Sequence, residues 1–205
     1  ARPFIEAGLP VFVDKPLCDN RADLAIFDRW VREGKPILSS SAMRYAKEYV
    51  PYHRATHALG QLRHVGVTMA KSWEAYGIHA LESVYPITGP GFVSVQNLGD
   101  AASNVVHLRH SDGIDVLVQV TKDMLGGFGM MTLSGTAGGL QLRFADTYHA
   151  FKTQLLGFVS YLRTGQPPVP WVETRELMQL VIAGVESREQ VDISGAFRLH
   201  RSVSI

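Results

Sequence analysis

Val11-Phe12-Val13-Asp14-Lys15-Pro16 (residues 11–16) decides the fold. An apolar run ends at a charged pair and a proline, the pattern of a parallel strand buried on both faces that delivers polar chemistry at its carboxyl end. Upstream, Ala1 to Gly8 reads as the end of a helix, so the sequence opens inside a βα unit and is expected to be the C-terminal part of a longer protein. Downstream, Asp19 or Asn20 caps a helix whose Leu24, Phe27, Trp30 and Val31 recur at helical spacing until Gly34 closes it. Pro36 to Ser41 is the next strand. Strand, helix and strand predict a right-handed parallel crossover, whose ligands sit at the carboxyl ends of the strands. Lys15 and the Ser39-Ser40-Ser41 run both fall there.

From Ala46 the texture changes, and residues 1–45 and 46–205 are expected to form two domains. A helix interrupted by Pro51 is predicted to end near Gly60, and Val65, Val67 and Met69 then alternate as a half-buried strand would. Gly77 to Tyr85 reads as a short helix, followed by strands at Phe92 to Leu98, Asn104 to His110 and Ile114 to Lys122. Ser111-Asp112-Gly113 is a turn with glycine where positive φ is wanted. Another hairpin joins Phe128–Ser134 to Leu140–Phe144, and helices at Tyr148 to Arg163 and Glu173 to Arg188 close the chain. The fold class is therefore α/β (α+β): the end of a parallel sheet, then a large, mostly antiparallel, open-faced sheet with helices on one face. The uncovered sheet face predicts a homo-oligomer.

The 205 residues are 46% hydrophobic and 19% charged, which suits a globular protein with a sizeable core. The net charge is +1 with no basic stripe, so neither nucleic acid nor a membrane surface is the expected partner; a small molecule is. Cys18 is the single cysteine, which rules out an intrachain disulfide or a Cys-based zinc site and suggests a reducing cytoplasm. No apolar run approaches the roughly 20 residues of a membrane span, and the first residues lack a signal-peptide layout.

Two constellations carry chemistry. In Asp14-Lys15-Pro16 a lysine is held at a cleft, where it can polarise a carbonyl or pass a proton; the same tripeptide also suits a surface turn. In Trp73-Glu74-Ala75-Tyr76-Gly77-Ile78-His79, His79 falls in the first helical turn, where the dipole favours the neutral imidazole. Such a ring can accept a proton from a substrate hydroxyl, or be a satisfied structural histidine. Glu82, three residues on, is placed to orient it. His53 and His57 stand four apart on the predicted helix, but the glutamate of a His-Glu-x-x-His site is missing and exposure explains them better; no metal is expected. Cys18 reads as inert. Glycines 126, 127, 129, 135, 138 and 139 lie between strands, where hairpin geometry explains them better than phosphate binding.

These motifs, in this order, resemble the glucose-fructose oxidoreductase and inositol dehydrogenase (Gfo/Idh/MocA) family over nearly the whole chain. Ala7-Gly8-Leu9-Pro10-Val11-Phe12-Val13-Asp14-Lys15-Pro16-Leu17 resembles the family segment ending Glu-Lys-Pro-Leu, with Asp14 for the usual glutamate. Met43-Arg44-Tyr45 resembles its Arg-Tyr, Gly77-Ile78-His79-Ala80-Leu81-Glu82 its Gly-x-His-x-x-Asp helix start, and Gly165-Gln166-Pro167-Pro168 with Glu173-Thr174 its C-terminal signature. The resemblance implies the remnant of a Rossmann domain over residues 1–45, a substrate-binding and oligomerisation domain over 46–205, and NAD or NADP as cofactor. It implies hydride transfer at a hydroxyl or carbonyl carbon of a sugar, cyclitol or related polyol, with Lys15 and His79 as catalytic residues. Asp14, Lys15, Pro16 and Arg44 are then expected at the cofactor, and Glu74, Tyr76 and His79 at the substrate. Two departures stand out: Ala75 replaces the aspartate that often precedes the histidine by four residues, and the sequence has no Gly-x-Gly-x-x-Gly for a pyrophosphate. The alternative is a non-catalytic member that binds a ligand or partner; metal-assisted hydrolysis through His53, His57 or His79 is a third reading.

Overall fold

The computed structural model describes residues 1–100, 102–126, 128–189 and 202–205. After α1 (Arg2–Glu6), β1 (Val11–Phe12) pairs in parallel with β2 (Ile37–Leu38), and α2 (Arg21–Arg32) connects them. Of the two cap candidates Asn20 is the one used: its side-chain oxygen accepts from the Asp23 backbone N–H at 2.9 Å. Trp30 of α2 packs with Ile5 and Ile37 in a small core beneath this pair. The second strand is shorter than the run from Pro36 to Ser41. Ser39, Ser40 and Ser41 leave the ladder, are buried, and lead into a 3-10 turn at Ala42–Tyr45.

The helix predicted between Ala46 and Gly60 does not form; Val50–Tyr52 and His57–Leu59 are separate 3-10 turns. Pro51 has no N–H to donate, and in an α-helix its ring would strike the carbonyl of Lys47. Tyr49, fully buried, donates its hydroxyl to the Gly129 carbonyl and pins the segment to the far hairpin. His53 and His57 therefore share no helix face. Among the described residues no group of three or more His, Cys, Asp or Glu side chains is arranged to hold a metal.

The main sheet contains β3 (Leu62–Ala70), β4 (Phe92–Asn97), β5 (Ser103–His110), β6 (Asp115–Thr121), β7 (Met130–Gly135), β8 (Gly138–Arg143) and β9 (Val203–Ser204). Their order is β8-β7-β3-β6-β5-β4-β9; β3 and β6 run parallel and the other pairs are antiparallel. Alternation on the strands sends Val65, Val67 and Met69, Val106 and Leu108, and Val116, Val118 and Val120 into one core. α3 (Ile78–Thr88) and α5 (Trp171–Glu189) contribute Leu81, Val84, Leu177, Leu180 and Val181 to it. On the opposite face Val105, Leu117 and Met130 are exposed. The β7–β8 hairpin is tighter than the predicted glycine loop, because Gly135 and Gly138 pair within the ladder and Thr136-Ala137 alone turn it. α4 (Thr147–Thr164), capped by Asp146, lies against the Ala42–Tyr45 turn, where Gln154 donates to the Ser40 carbonyl at 2.6 Å. No helix among the described residues is long and apolar enough to cross a membrane.

Trp73 ties the sheet to α5. It is fully buried and its Nε1 donates to the Val181 carbonyl at 2.9 Å. A Cβ on Gly184 would lie 2.3 Å from that Nε1. Gly184→Ala gains about 1 kcal/mol of helix propensity, but crowding against a rigid indole outweighs it. We expect a net loss of about 1–2 kcal/mol in urea unfolding; an unchanged or raised midpoint would contradict this packing.

Candidate functional site

Lys15 stands just beyond β1, where the Val13 N–H bonds to the Leu38 carbonyl and extends the parallel ladder by one step. The Lys15–Pro16 peptide is cis. The lysine is half-buried, and its Nζ lies over the Tyr76 ring, 4.6 Å from the centroid. A second ammonium, that of Lys71, lies over the same ring, also at 4.6 Å. Lys71 follows the carboxyl end of β3 with φ at 68°, a left-handed conformation that costs a side-chain-bearing residue about 1–2 kcal/mol. Its N–H donates to the Thr121 carbonyl at 3.0 Å, which keeps the backbone there.

Tyr76 and His79 are presented by a π-turn, Trp73–Gly77, that runs straight into α3. The wide turn follows from packing: Trp73 fills the space beneath it, and a Cβ on Gly77 would fall 2.5 Å from the indole. π-turns recur at functional sites because they re-aim one side chain within a helix. His79 is 7% exposed, so its ring has almost no water to stabilise a charge. Its Nδ1 lies 2.6 Å from Ser41 Oγ, and its faces and edges meet Tyr76 at 4.8 Å and Phe128 at 5.6 Å between ring centroids. Burial first, then the charges of Lys15 and Lys71, push its pKa down to about 3. The imidazole is neutral at physiological pH. With Nδ1–H donated to Ser41, Nε2 keeps a lone pair for a substrate proton; the reverse tautomer would make Nε2 a donor.

Glu82 does not orient His79 directly, contrary to expectation. Its carboxylate accepts from the Ser41 backbone N–H at 3.1 Å and from Arg44, and so places the Ser41 hydroxyl that contacts the ring. Arg44 is likewise not presented to a cofactor. It bridges Glu82 and Glu173, the latter at 2.8 Å, with only 11% of its side chain exposed. Burial opposes its charge, but the two carboxylates outweigh that and raise its pKa. Glu74 pairs with Arg188 of α5 instead of facing the substrate side. Asp14 is exposed, beside Lys15. The Cys18 thiol is buried and pushed up to about 12 by desolvation and then by Asp23, so it carries no thiolate.

Lys71, Tyr76 and His79 open onto a cleft of about 550 Å³ whose walls include Met43, Phe128, Arg143 and Phe144. Lys71 and Phe128 were not singled out in the sequence; the only signal is that Ala70-Lys71-Ser72 ends a strand directly before the Trp73–His79 motif. Gly126 and Gly129, at φ 74° and 70°, shape the loop before β7. Gly127 lies outside the described residues.

No family model matches the chain. A protein described as a candidate UDP-kanosamine synthase oxidoreductase subunit from Amycolatopsis mediterranei (strain S699) is 32% identical over 81 residues, 36% of this chain and 23% of that protein, about a quarter of its length. Myo-inositol 2-dehydrogenase from Lactobacillus plantarum superposes with a TM-score of 0.78 at 16% identity, over 98% of this chain and 75% of that one. Myo-inositol dehydrogenase from Lactobacillus casei, solved with NAD(H) and myo-inositol, does so with a TM-score of 0.78 at 14% identity, over 98% and 72%. The chain thus has the fold of the Gfo/Idh/MocA oxidoreductases, including the large, mostly antiparallel sheet of their C-terminal domain.

Because the folded pKa of His79 lies far below the ordinary value of 6.5, the unfolded chain binds the extra proton between those values. The contribution of His79 to stability is complete above pH 6.5 and is lost as pH drops through that window, with a slope of up to about 1.4 kcal/mol per unit. His79→Asn should lower the slope of urea-derived stability between pH 6.5 and 4.5, leaving the share of His53, which burial and then Arg44 push down to about 4; identical slopes would show that the His79 ring titrates normally in the folded protein.

Proposed function

We propose that the chain is the substrate-binding part of a nicotinamide-dependent oxidoreductase that interconverts a hydroxyl and a carbonyl carbon on a sugar, cyclitol or related polyol. One observation supports this most: Lys15 and His79, from motifs more than sixty residues apart in the sequence, converge on Tyr76 beside one cleft. In the oxidation direction the neutral His79 ring takes the hydroxyl proton through Nε2, while the Lys15 ammonium stabilises the oxygen as negative charge develops on it. In reduction, the same two groups polarise the carbonyl and return the proton. The nicotinamide, when bound, supplies or accepts the hydride. The carbinol gives up its O–H proton to His79 and its C–H hydrogen with both bonding electrons, as hydride, while the C=O bond forms.

The residues present suit the nicotinamide end of such a cofactor: Lys15 and Pro16 stand at the carboxyl end of β1, where ligands of parallel sheets bind. The sequence holds no glycine-rich turn for the pyrophosphate. Ala75, where an acid often stands in this family, favours the second reading, a member that binds without catalysis. Titration of the full-length protein with NADH and NADPH separates the two, because enhanced nicotinamide fluorescence is expected only of the enzyme. Lys15→Met should lower turnover by about 10²-fold or more with the fold intact, as loss of a group acting on a transferring proton does. Turnover within a few-fold of the unaltered enzyme would remove Lys15 from the mechanism.

A further inference from the structure

We propose that the cleft beside His79 takes a negatively charged substrate, a sugar or polyol bearing a carboxylate or phosphate, and that Lys71 is the residue that selects it. The inference rests on the reading of this cleft as the substrate site.

Three features of the cleft point this way. First, its charge is of one sign. Lys71 and Arg143 line it, Lys15 adjoins it through Tyr76, and no aspartate or glutamate lines it among the described residues. Of the carboxylates nearby, Glu74 pairs with Arg188, Glu82 with Arg44 and the Ser41 N–H, and Asp146 with Lys47, while Asp14, next to Lys15 in sequence, is exposed and is not part of the described lining. Among the described residues neither Lys15 nor Lys71 has a carboxylate partner; both rest on the neutral ring of Tyr76. Lys71 and Arg143 are exposed and Lys15 is half-buried, and uncompensated cations grouped in this way raise the local concentration of anions.

Second, the described lining offers little to a neutral polyol. Each hydroxyl of a polyol both donates and accepts; Lys71 and Arg143 can meet its lone pairs, but its O–H groups need acceptors such as carboxylates and amide oxygens. Tyr76, His79 and Thr147 are the side chains here that can accept, and no Asp, Glu, Asn or Gln joins them among the described lining.

Third, Lys71 occupies a left-handed backbone position that favours glycine. A side chain kept where its backbone is strained points to use of that side chain. The Thr121 carbonyl holds the conformation, and the conformation sets the ammonium over Tyr76, opposite no acid.

Calorimetric titration of the full-length protein with D-glucuronate, D-glucose 6-phosphate and D-glucose at matched ionic strength tests this, and the first two distinguish carboxylate from phosphate. At least one anionic sugar should bind about tenfold or more tighter than glucose, the scale of one charge-assisted contact, and the preference should shrink with added salt. Lys71→Met should reduce it to under about threefold and Lys71→Arg should keep it. Lys71→Gly should lose it while melting no lower than the unaltered protein, which separates lost selection from lost folding. Equal binding of glucose, no binding of either anionic sugar, or a preference that survives Lys71→Met would each overturn the proposal. If the preference holds but neither NADH nor NADPH binds, the hydride-transfer reading fails and this one stands. If neutral polyols are oxidised with NAD or NADP as efficiently as anionic ones, the reverse is true.

Discussion

Glu82 keeps a carboxylate almost entirely away from water, at 2% exposure, and a buried charge persists only where donors replace its hydration. Here the donors come from two directions: the Ser41 backbone N–H, from the loop that follows β2, and the Arg44 guanidinium from the next turn. Arg44 passes the constraint on to Glu173 at the start of α5. A single carboxylate on α3 thereby locks the end of the parallel pair onto the helices that back the large sheet. Removing it would leave Arg44 with Glu173 alone, and its buried Nη2 already has no hydrogen-bond partner among the described residues. Its location matters as much as its strength, because Ser41 is the residue whose hydroxyl meets His79.

The second constraint acts from the other side of α3. Trp73 is clamped between glycines 77 and 184, neither of which leaves room for a methyl group, and its indole N–H is spoken for by Val181. The π-turn is the backbone's accommodation of that side chain, and it sets the azimuth at which Tyr76 and His79 leave the helix. Glu82 fixes where the helix stands relative to Lys15; Trp73 fixes how the ring turns towards it. The site depends on both, since the lysine follows the two-stranded parallel sheet and the histidine stands on α3, which packs against the large sheet.

Much of this was legible in the residues. Val11 to Pro16, the α2 stripe, the alternation of β3 and the hairpin turn at Gly113 follow local rules, and each appears where those rules put it. What failed did so for tertiary reasons. Helical spacing between Ala46 and Gly60 was overridden by Pro51 and by Tyr49 reaching to Gly129. Glu82 stands at the right spacing to touch His79, but a nearby cation and a free N–H outcompeted a neutral ring for its carboxylate. Arg44 looked available because its two acidic partners lie 38 and 129 residues away in sequence. Lys71 was invisible for the same kind of reason: no spacing rule connects the end of one strand to a lysine that closes a different sheet.

The electrostatics of the site then follow from where those charges end up. Two ammoniums near one ring repel each other, and the face of Tyr76 relieves part of that by its quadrupole, worth roughly 0.5–2 kcal/mol per cation. The same two charges help to hold His79 neutral, which preserves it as an acceptor but makes it a weak one, since a pKa of about 3 leaves little affinity for a proton. Any negative charge brought between the lysines would offset their influence and strengthen the base at the moment it is needed, whereas burial alone would remain. A cleft arranged in this way couples the arrival of charge to the basicity of its histidine, without requiring any movement of the backbone.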